Sequence, residues 1–414
     1  MVPGYLIKKL SIIVLLFVYT SSPCKAYSVL THEAIIDAGW EKVLLPLLKQ
    51  KYPGSSAAAL KEAHAYAYGG AVVPDMGYYP FSSKLFTNLV HYVRSGDFVE
   101  ALLNDAQDVN EYAFALGVLC HYCADIYGHS IGINPAVPEI YPKMKSKFGD
   151  TVTFAENRIS HIRTEFAFDV LQTARGNYAS IAYHDFIGFQ VAQPLLERAF
   201  RETYGLDINE LFGNFPKAVR KFRWAIMNLF PFITKTAWVT KKDEIKKITP
   251  NATSRNFIYR MHRKNYRHQL GDKEGPKFFA HVVSFIIRIM PKIGPLRVLK
   301  FRAPGPDAEK LFIKSFDTVT ERYTNDVKEL QKKNIYLGNI DFDTGLRTKE
   351  GEYKLADQSY RELLLKLKDK NFETLTFPLK QHILSFYSNE KTIERPEVME
   401  ALAQLKTVQP VQKN

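Results

Sequence analysis

The chain contains very little cysteine, with three residues among 414. Cys24 lies near the N-terminus, and the other two, Cys120 and Cys123, flank His121 in the sequence CHYC. So few cysteines exclude a disulfide framework as the source of stability. CHYC resembles redox and zinc motifs, but we interpret its cysteines as small buried residues on the sides of a helix, because a disulfide between them within a regular helix would be poorly placed geometrically.

Long apolar runs are also scarce. The run from Leu10 to Tyr19 follows two lysines and is too short to span a bilayer core of ~30 Å. Small residues, Cys24 and Ala26, end the segment that follows, which predicts a signal peptide over residues 1–26 with cleavage after Ala26. We therefore expect export to the periplasm or the extracellular medium, with Tyr27 as the new N-terminus; an uncleaved anchor is the alternative.

Acidic residues are outnumbered, with 43 Asp and Glu against 56 Lys and Arg, a net charge of +13. A hydrophobic content of 46% with 24% charged residues is typical of a globular protein rather than a disordered one. The basic excess favours phosphate-rich partners or an anionic membrane surface. Residues 240–276 are strongly basic with scattered aromatics, which is compatible with nucleic-acid binding but more simply interpreted as a solvated insertion.

Alternating two-residue periodicity is rare, and the sequence shows no internal repeat and no low-complexity segment. Apolar residues instead recur at spacings of three and four in most of the chain after residue 26, which predicts an all-α fold. Thr31 is expected near the cap of the first helix. Residues 240–276 and the proline-rich 301–307 interrupt the helical pattern.

Two helical stretches carry histidines and acids at a spacing of four. His121, Asp125 and His129 follow one another in HYCADIYGH, and His161 and Glu165 stand in HIRTE. On an α-helix this spacing places the side chains in one narrow stripe. Burying so many ionisable groups without a cation is costly, and imidazole with carboxylate is a donor set that zinc favours. The spacing therefore predicts a metal site.

Further donors precede these helices. His32 lies five residues after the predicted new N-terminus, Asp75 lies in the loop sequence GGAVVPDMG, and His91 lies in LFTNLVHYV. The motifs YSVLTH, GGAVVPD, HYV, HYCADIYGH and HIRTE, in this order, resemble the zinc-dependent phospholipase C family. That family shares its fold with the fungal zinc single-strand nucleases. Its most similar subgroup includes the catalytic domain of glycosylphosphatidylinositol-specific phospholipase D.

The resemblance implies a helical bundle with a metal domain over residues 27–205. Residues 206–414 are then a helical C-terminal extension with a basic insertion near 240–276. It also implies a trinuclear zinc centre, to which each ligand is assigned by its position in the motifs. The first zinc would be held by Asp75, His91, His121 and Asp125. The second would be held by His129, His161 and Glu165. The third would be held by His32, by Asp125 as a bridge, and by the free amine and carbonyl of Tyr27, where the family usually has tryptophan.

The implied chemistry is hydrolysis of a phosphodiester by metal-activated water. Three carboxylates neutralise only half the charge of three Zn²⁺ ions, and the positive pocket would attract the substrate and stabilise its transition state. Asp75 is expected to orient the attacking water or to accept its proton. Phospholipase C-like cleavage of a phospholipid head group, with peripheral contact to an anionic membrane, is the leading prediction. A single-strand nuclease of the same fold and a non-enzymatic zinc- or membrane-binding scaffold are the alternatives.

Head-group preference is less well defined by the sequence. Tyr78, Tyr79 and Phe81 follow Asp75 closely and either form an aromatic wall able to cage a cation or simply pack the loop. Lecithinases of the family carry an acid shortly after the N-terminus and a tyrosine after the loop aspartate. Leu30 and Met76 stand at those places here, which does not favour phosphatidylcholine.

Overall fold

In a computed structural model of the chain, the described residues are 29–79, 82–178, 189–226, 230–253, 298–332, 335–389, 393 and 395–411. The predicted signal peptide, Tyr27 and Phe81 lie outside these ranges. So do most of the basic segment 240–276 and the apolar stretch FFAHVVSFIIRIM. None of the described helices is long and apolar enough to cross a bilayer.

The all-α prediction is confirmed: the described residues form helices and no strand, and their one β-type pairing is an isolated bridge between Thr376 and Val411. The first half of the chain contains α1 Val29–Gly39, α2 Leu45–Lys51, α3 Ala57–Val72, α4 Lys84–Tyr92, α5 Ser95–Asp105, α6 Val109–Tyr127, α7 Asn134–Ile140, α8 Pro142–Phe148, α9 Phe154–Arg175 and α10 Gln193–Tyr204. The remainder contains α11 Ile208–Phe212, α12 Phe215–Trp224, α13 Phe230–Ile248, α14 Pro306–Lys332, α15 Lys354–Asp369, α16 Phe377–Phe386 and α17 Pro396–Thr407. Two π-helical segments, Trp40–Leu44 and Gly128–Ile133, and a 3₁₀ segment, Val73–Tyr78, interrupt this series.

Helices α3 and α6 cross at the centre of the bundle, and two glycines bring them into backbone contact. A Cβ atom at Gly70 would lie 1.9 Å from the carbonyl oxygen of Phe114, and one at Gly117 would lie 2.1 Å from that of Ala67. Only residues without a side chain permit so close an approach. The crossing fixes the end of α3, which leads into the 3₁₀ segment, against the second half of α6.

Side-chain hydrogen bonds define where several helices begin. Asp108 caps α6 by accepting the backbone N–H groups of Asn110 and Glu111 at 2.8 and 2.9 Å. Thr31 does not cap α1 as the sequence suggested, since α1 is already helical at Val29. Its hydroxyl instead donates to Asp169 of α9 at 2.7 Å, because at that place a buried carboxylate of the neighbouring helix is within reach. This bond ties the first helix to α9.

One hydrophobic core runs through the described chain from α1 to α17. Helix α14 packs against α6 and the π-helical segment Gly128–Ile133, and α15 packs against α4. A smaller apolar cluster joins α13 to α9, with Trp238 and Ile245 packed near Phe166. The C-terminal helices therefore cover the helices that carry the predicted metal ligands.

The two cysteines of CHYC are free and buried, which confirms their interpretation as packing residues. Cys120 lies 3.8 Å from the carbonyl oxygen of His32, and the thiol of Cys123 donates to Asp326 of α14 at 3.3 Å. The two sulfur atoms therefore contact different residues, His32 and Asp326.

Candidate metal centre

Three elements bring four donors together at the α3–α6 crossing. The 3₁₀ segment supplies Asp75, α4 supplies His91, and α6 supplies His121 and Asp125. All four residues are buried, and one ligand atom from each lies within 4.8 Å of the others. The described part of the chain therefore contains a compact group of two imidazoles and two carboxylates.

The spacing of these donors matches that of ligands around one ion. His91 Nε2 lies 3.3 Å from Asp75 Oδ1, 3.4 Å from Asp125 Oδ2 and 3.4 Å from His121 Nε2. His121 Nε2 lies 3.2 Å from Asp125 Oδ2. Four ligands about 2.0 Å from a tetrahedral zinc are about 3.3 Å from one another. These four contacts therefore have the lengths expected between ligands of one zinc ion, and the remaining pairs lie within 4.8 Å.

Backbone carbonyls orient both imidazoles. His91 Nδ1 lies 2.8 Å from the oxygen of Thr87, and His121 Nδ1 lies 2.9 Å from the oxygen of Ala71 in α3. A carbonyl can only accept, so each Nδ1 carries a hydrogen, and in the neutral ring Nε2 has the lone pair that a metal would bind. This arrangement of the outer ring nitrogen is usual for zinc-binding histidines.

Two oxygens of the group accept no hydrogen bond: Asp75 Oδ1 and Asp125 Oδ2 are both buried, and their neighbours at 3.2 to 3.4 Å are imidazole nitrogens. Buried unpaired oxygens are strongly unfavourable, and a cation among them removes the cost. Burial, together with the negative charge of Asp125, raises the pKa of Asp75 well above its ordinary value against the opposing charge of His121. The pKa of Asp125 is also pushed up by burial, but the charges of His121 and His129 hold it well below its ordinary value.

His32 reaches the same carboxylate from the opposite side. Its Nε2 lies 3.3 Å from Asp125 Oδ1, while Oδ2 faces His91 and His121. Its ring stacks on that of His121 with centroids 4.5 Å apart. The split of the two Asp125 oxygens fits a carboxylate that bridges two ions. The remaining predicted ligand of that third site, Tyr27, lies outside the described residues.

A second set of donors surrounds Glu165. Glu165 Oε1 lies 2.8 Å from His161 Nδ1 and 3.5 Å from His129 Nε2, and none of these three buried atoms has a hydrogen-bond partner. His161 Nε2 lies 2.9 Å from the side-chain oxygen of Asn134. Although burial raises it, the pKa of Glu165 is lowered overall by the charges of His161 and His129. The set fits the predicted second zinc.

The predicted α-helical stripe is wrong in its last member. Helix α6 ends at Tyr127, and His129 lies in the π-helical segment Gly128–Ile133. A π-helix has a wider turn than an α-helix, so a residue four positions on no longer falls in the same row. His129 accordingly faces Glu165 of α9, whereas His121 and Asp125 face His91.

The aromatic residues after Asp75 pack within the protein. Tyr78 is buried, with its ring edge-on to His91 at 6.1 Å between centroids, and Tyr79 is edge-on to Phe222 at 4.8 Å. For these two residues the structure supports the packing interpretation rather than an open cage.

Three neighbours of the site were not anticipated from the sequence: Asn134, Phe342 and Asp343. The ring of Phe342 lies 5.0 Å from that of His91, between centroids. Asp343 Oδ1 lies 3.3 Å from His129 Nδ1. Both come from the loop sequence NIDFDTG, more than 170 residues after the last predicted ligand. The only local sign of this loop in the sequence is a phenylalanine with an acid on each side, shortly before a glycine.

The fold and the site together define an all-α protein whose described residues include a buried histidine–carboxylate group that could hold a metal ion. The sequence model described as "Zinc dependent phospholipase C" matches residues 31–214, which contain every described residue of the predicted ligand set. The predicted family resemblance is confirmed, since residues 31–214 match the model of the zinc-dependent phospholipase C family. The match spans less than half of the chain, and Asp343 lies outside it. Comparisons with curated proteins and with solved structures found no match.

Proposed function

We propose that the protein is an exported zinc-dependent phosphodiesterase that removes the head group of a phospholipid in the manner of a phospholipase C. The observation that carries this proposal is the group formed by Asp75, His91, His121 and Asp125, whose donors are spaced as around one zinc ion and include unpaired buried oxygens. The family of residues 31–214 supplies the reaction class.

Three zinc ions in the arrangement that the family resemblance implies are part of this proposal, with the third held by His32, Asp125 and Tyr27. Zinc bound there supplies an acidified water and positive charge that stabilises the phosphodiester transition state. The protein contributes rigid placement, because backbone carbonyls hold His91 and His121 and the Gly70–Gly117 crossing holds α3 against α6. Preorganised donors of this kind avoid reorganisation during the reaction.

Asp75 is proposed as the residue that orients the attacking water and accepts its proton. Its side chain is 10% exposed, whereas those of His121 and Asp125 are fully buried, so it lies at the solvent side of the group. Because Oδ1 is buried and faces His91 and the proposed zinc, the other carboxylate oxygen, Oδ2, would hold a hydrogen of that water. A carboxylate within hydrogen-bond reach of the attacking water is suited to general-base work.

For the substrate we propose an anionic or neutral phospholipid other than phosphatidylcholine. Leu30 and Met76 are buried in the core, so the positions at which lecithinases present an acid and a phenol offer neither here. The net charge of +13 favours contact with an anionic lipid surface. Nucleic acid is the weaker alternative, because the described aromatic residues near Asp75 are packed inside and do not present stacking faces.

Export forms part of the proposal, since cleavage after Ala26 would free the amine of Tyr27 for the third zinc. Mass spectrometry of protein recovered from the periplasm or the medium tests this point. A mature N-terminus at Tyr27 supports it, and a retained leader contradicts both the export prediction and the assignment of Tyr27.

The activity is tested with zinc-loaded protein on three substrates: liposomes of phosphatidylcholine, liposomes that also contain phosphatidylglycerol, and single-stranded DNA. We expect phosphate-ester release from the liposomes that contain phosphatidylglycerol, little release from phosphatidylcholine alone, and loss of the activity in Asp75→Asn. The control Asp326→Asn removes a carboxylate that contacts Cys123 instead of the donor group, and it should retain activity. Hydrolysis of DNA alone would favour the nuclease, and bound zinc without any turnover would favour the scaffold.

A further inference from the structure

The loop between α14 and α15 lies on the helices that carry the metal donors. Ser95 Oγ donates to the carbonyl oxygen of Ile340 at 2.7 Å, and the hydroxyl of Tyr122 donates to that of Gly338 at 2.8 Å. The backbone N–H of Phe342 donates to the carbonyl oxygen of His91 at 3.2 Å. These contacts with α4, α5 and α6 place the loop directly over the donor groups.

Asp343 is held in one orientation by bonds on several sides. Its Oδ2 accepts the hydroxyl hydrogens of Tyr92 at 2.8 Å and of Tyr353 at 2.6 Å. Its carbonyl oxygen accepts from the side-chain amide of Asn134 at 2.7 Å, and its N–H donates to Asp341 Oδ1 at 3.0 Å. The residue is 2% exposed. Because the carboxylate is buried and held by these bonds, the fold also determines which group its second oxygen, Oδ1, contacts.

That second oxygen faces a histidine of the centre. Asp343 Oδ1 lies 3.3 Å from His129 Nδ1, and the other ring nitrogen, Nε2, points towards Glu165. Asp343 is thus on the far side of the imidazole from Glu165 and is not placed as a ligand of the same ion. A carboxylate at the outer nitrogen of a zinc-binding histidine fixes its tautomer and strengthens the inner nitrogen as a ligand.

Asn134 contacts the outer ring nitrogen of His161, the other histidine of this set, as Asp343 contacts that of His129. Its side-chain oxygen lies 2.9 Å from His161 Nε2, while His161 Nδ1 faces Glu165. Its amide group donates to the carbonyl oxygen of Asp343, so a hydrogen bond links the residue behind His161 to the residue behind His129. Asp343, the residue behind His129, lies in the C-terminal part of the chain, outside the region that matches the family.

We propose that Asp343 is a positioning residue of the metal centre: it accepts the Nδ1 hydrogen of His129 and so presents Nε2 to the zinc shared with His161 and Glu165. The C-terminal region thereby completes a centre whose ligands all lie before residue 166. This inference rests on the proposed zinc-dependent function.

The test measures zinc affinity, independently of turnover, in the full-length mature protein by competition with a chromogenic chelator. Asp343→Ala should lower the affinity for one of the bound zinc ions about 10- to 100-fold and leave the affinity for the others unchanged. Asp343→Asn keeps an oxygen that accepts from Nδ1 and should recover part of that loss. With Co²⁺ in place of zinc, the absorption bands of one ion should shift in both variants, which a purely structural change elsewhere would not produce.

Asp326→Ala is the matched control, because it also removes a C-terminal carboxylate that contacts α6, but away from the donors. It should bind zinc as the wild type does. If Asp343→Ala does not fold, Asp343→Asn, which preserves shape, and Tyr353→Phe, which removes one bond to Oδ2, carry the test with smaller expected losses. Wild-type affinity and unchanged Co²⁺ bands in the variants that fold would overturn the inference. Absence of zinc binding by the wild type would overturn the proposed function instead.

Discussion

Replacement of Gly117 by alanine tests whether the α3–α6 crossing builds the site. The new Cβ would lie 2.1 Å from the carbonyl oxygen of Ala67 and 2.9 Å from the backbone nitrogen of Ala71. These are backbone atoms of a packed helix, so the helices must move apart by about 1 Å to reach ordinary contact distance. The hydrogen bond from His121 Nδ1 to Ala71, now 2.9 Å, lies one turn further along and would lengthen.

The expected magnitude follows from two opposing contributions. Overpacking costs about 1 to 3 kcal/mol, and the upper end applies because the obstacle is backbone. Alanine in place of glycine in a helix interior returns about 1 kcal/mol. We therefore expect Gly117→Ala to lower the free energy of unfolding by about 2 kcal/mol in chemical denaturation, with weaker zinc binding.

Gly54→Ala provides the control, since no atom lies within 4 Å of a Cβ at that exposed position. It should change the free energy of unfolding by less than about 0.5 kcal/mol. Equal stability and equal zinc affinity in the Gly117→Ala variant would refute the view that this close approach positions Asp75 against His121.

Two further outcomes are expected. Removal of zinc by a chelator should lower the midpoint of thermal unfolding, because an ion at a thousand times its Kd contributes about 4 kcal/mol; an unchanged calorimetric midpoint would contradict this. Burial, with help from the charge of Arg94, lowers the pKa of His382 to about 4, so the folded state resists its protonation. The unfolded state then binds the proton more tightly, and the free energy of unfolding should fall as pH drops from about 6.5 to 4, by at most about 1.4 kcal/mol per pH unit. Denaturation curves of His382→Gln should show a shallower decline, and an identical decline would rule out this histidine as the cause.

Helical periodicity was sufficient to predict the donors that are neighbours on one helix. The spacing of four placed His121 near Asp125 and His161 near Glu165, and their atoms lie 3.2 and 2.8 Å apart. Such pairs depend only on local helix geometry, which a regular repeat encodes directly.

The parts that were missed depend on long-range or irregular structure. The spacing of four between Asp125 and His129 does not reveal the π-helical segment that turns His129 towards Glu165. Asp343 reaches His129 across 214 positions of chain, from a loop without periodicity, so only tertiary packing brings it to the site. The cap predicted at Thr31 failed for a related reason, because a distant carboxylate, Asp169, offered its hydroxyl a buried partner.

A crystal structure of the zinc-loaded mature protein, with anomalous data at the zinc edge, will show whether divalent zinc occupies the buried donor group. We expect an anomalous peak about 2.0 to 2.2 Å from the ligand atoms of Asp75, His91, His121 and Asp125. Well-ordered density in which those side chains hydrogen-bond only to one another or to water, with no anomalous peak among them, would contradict it.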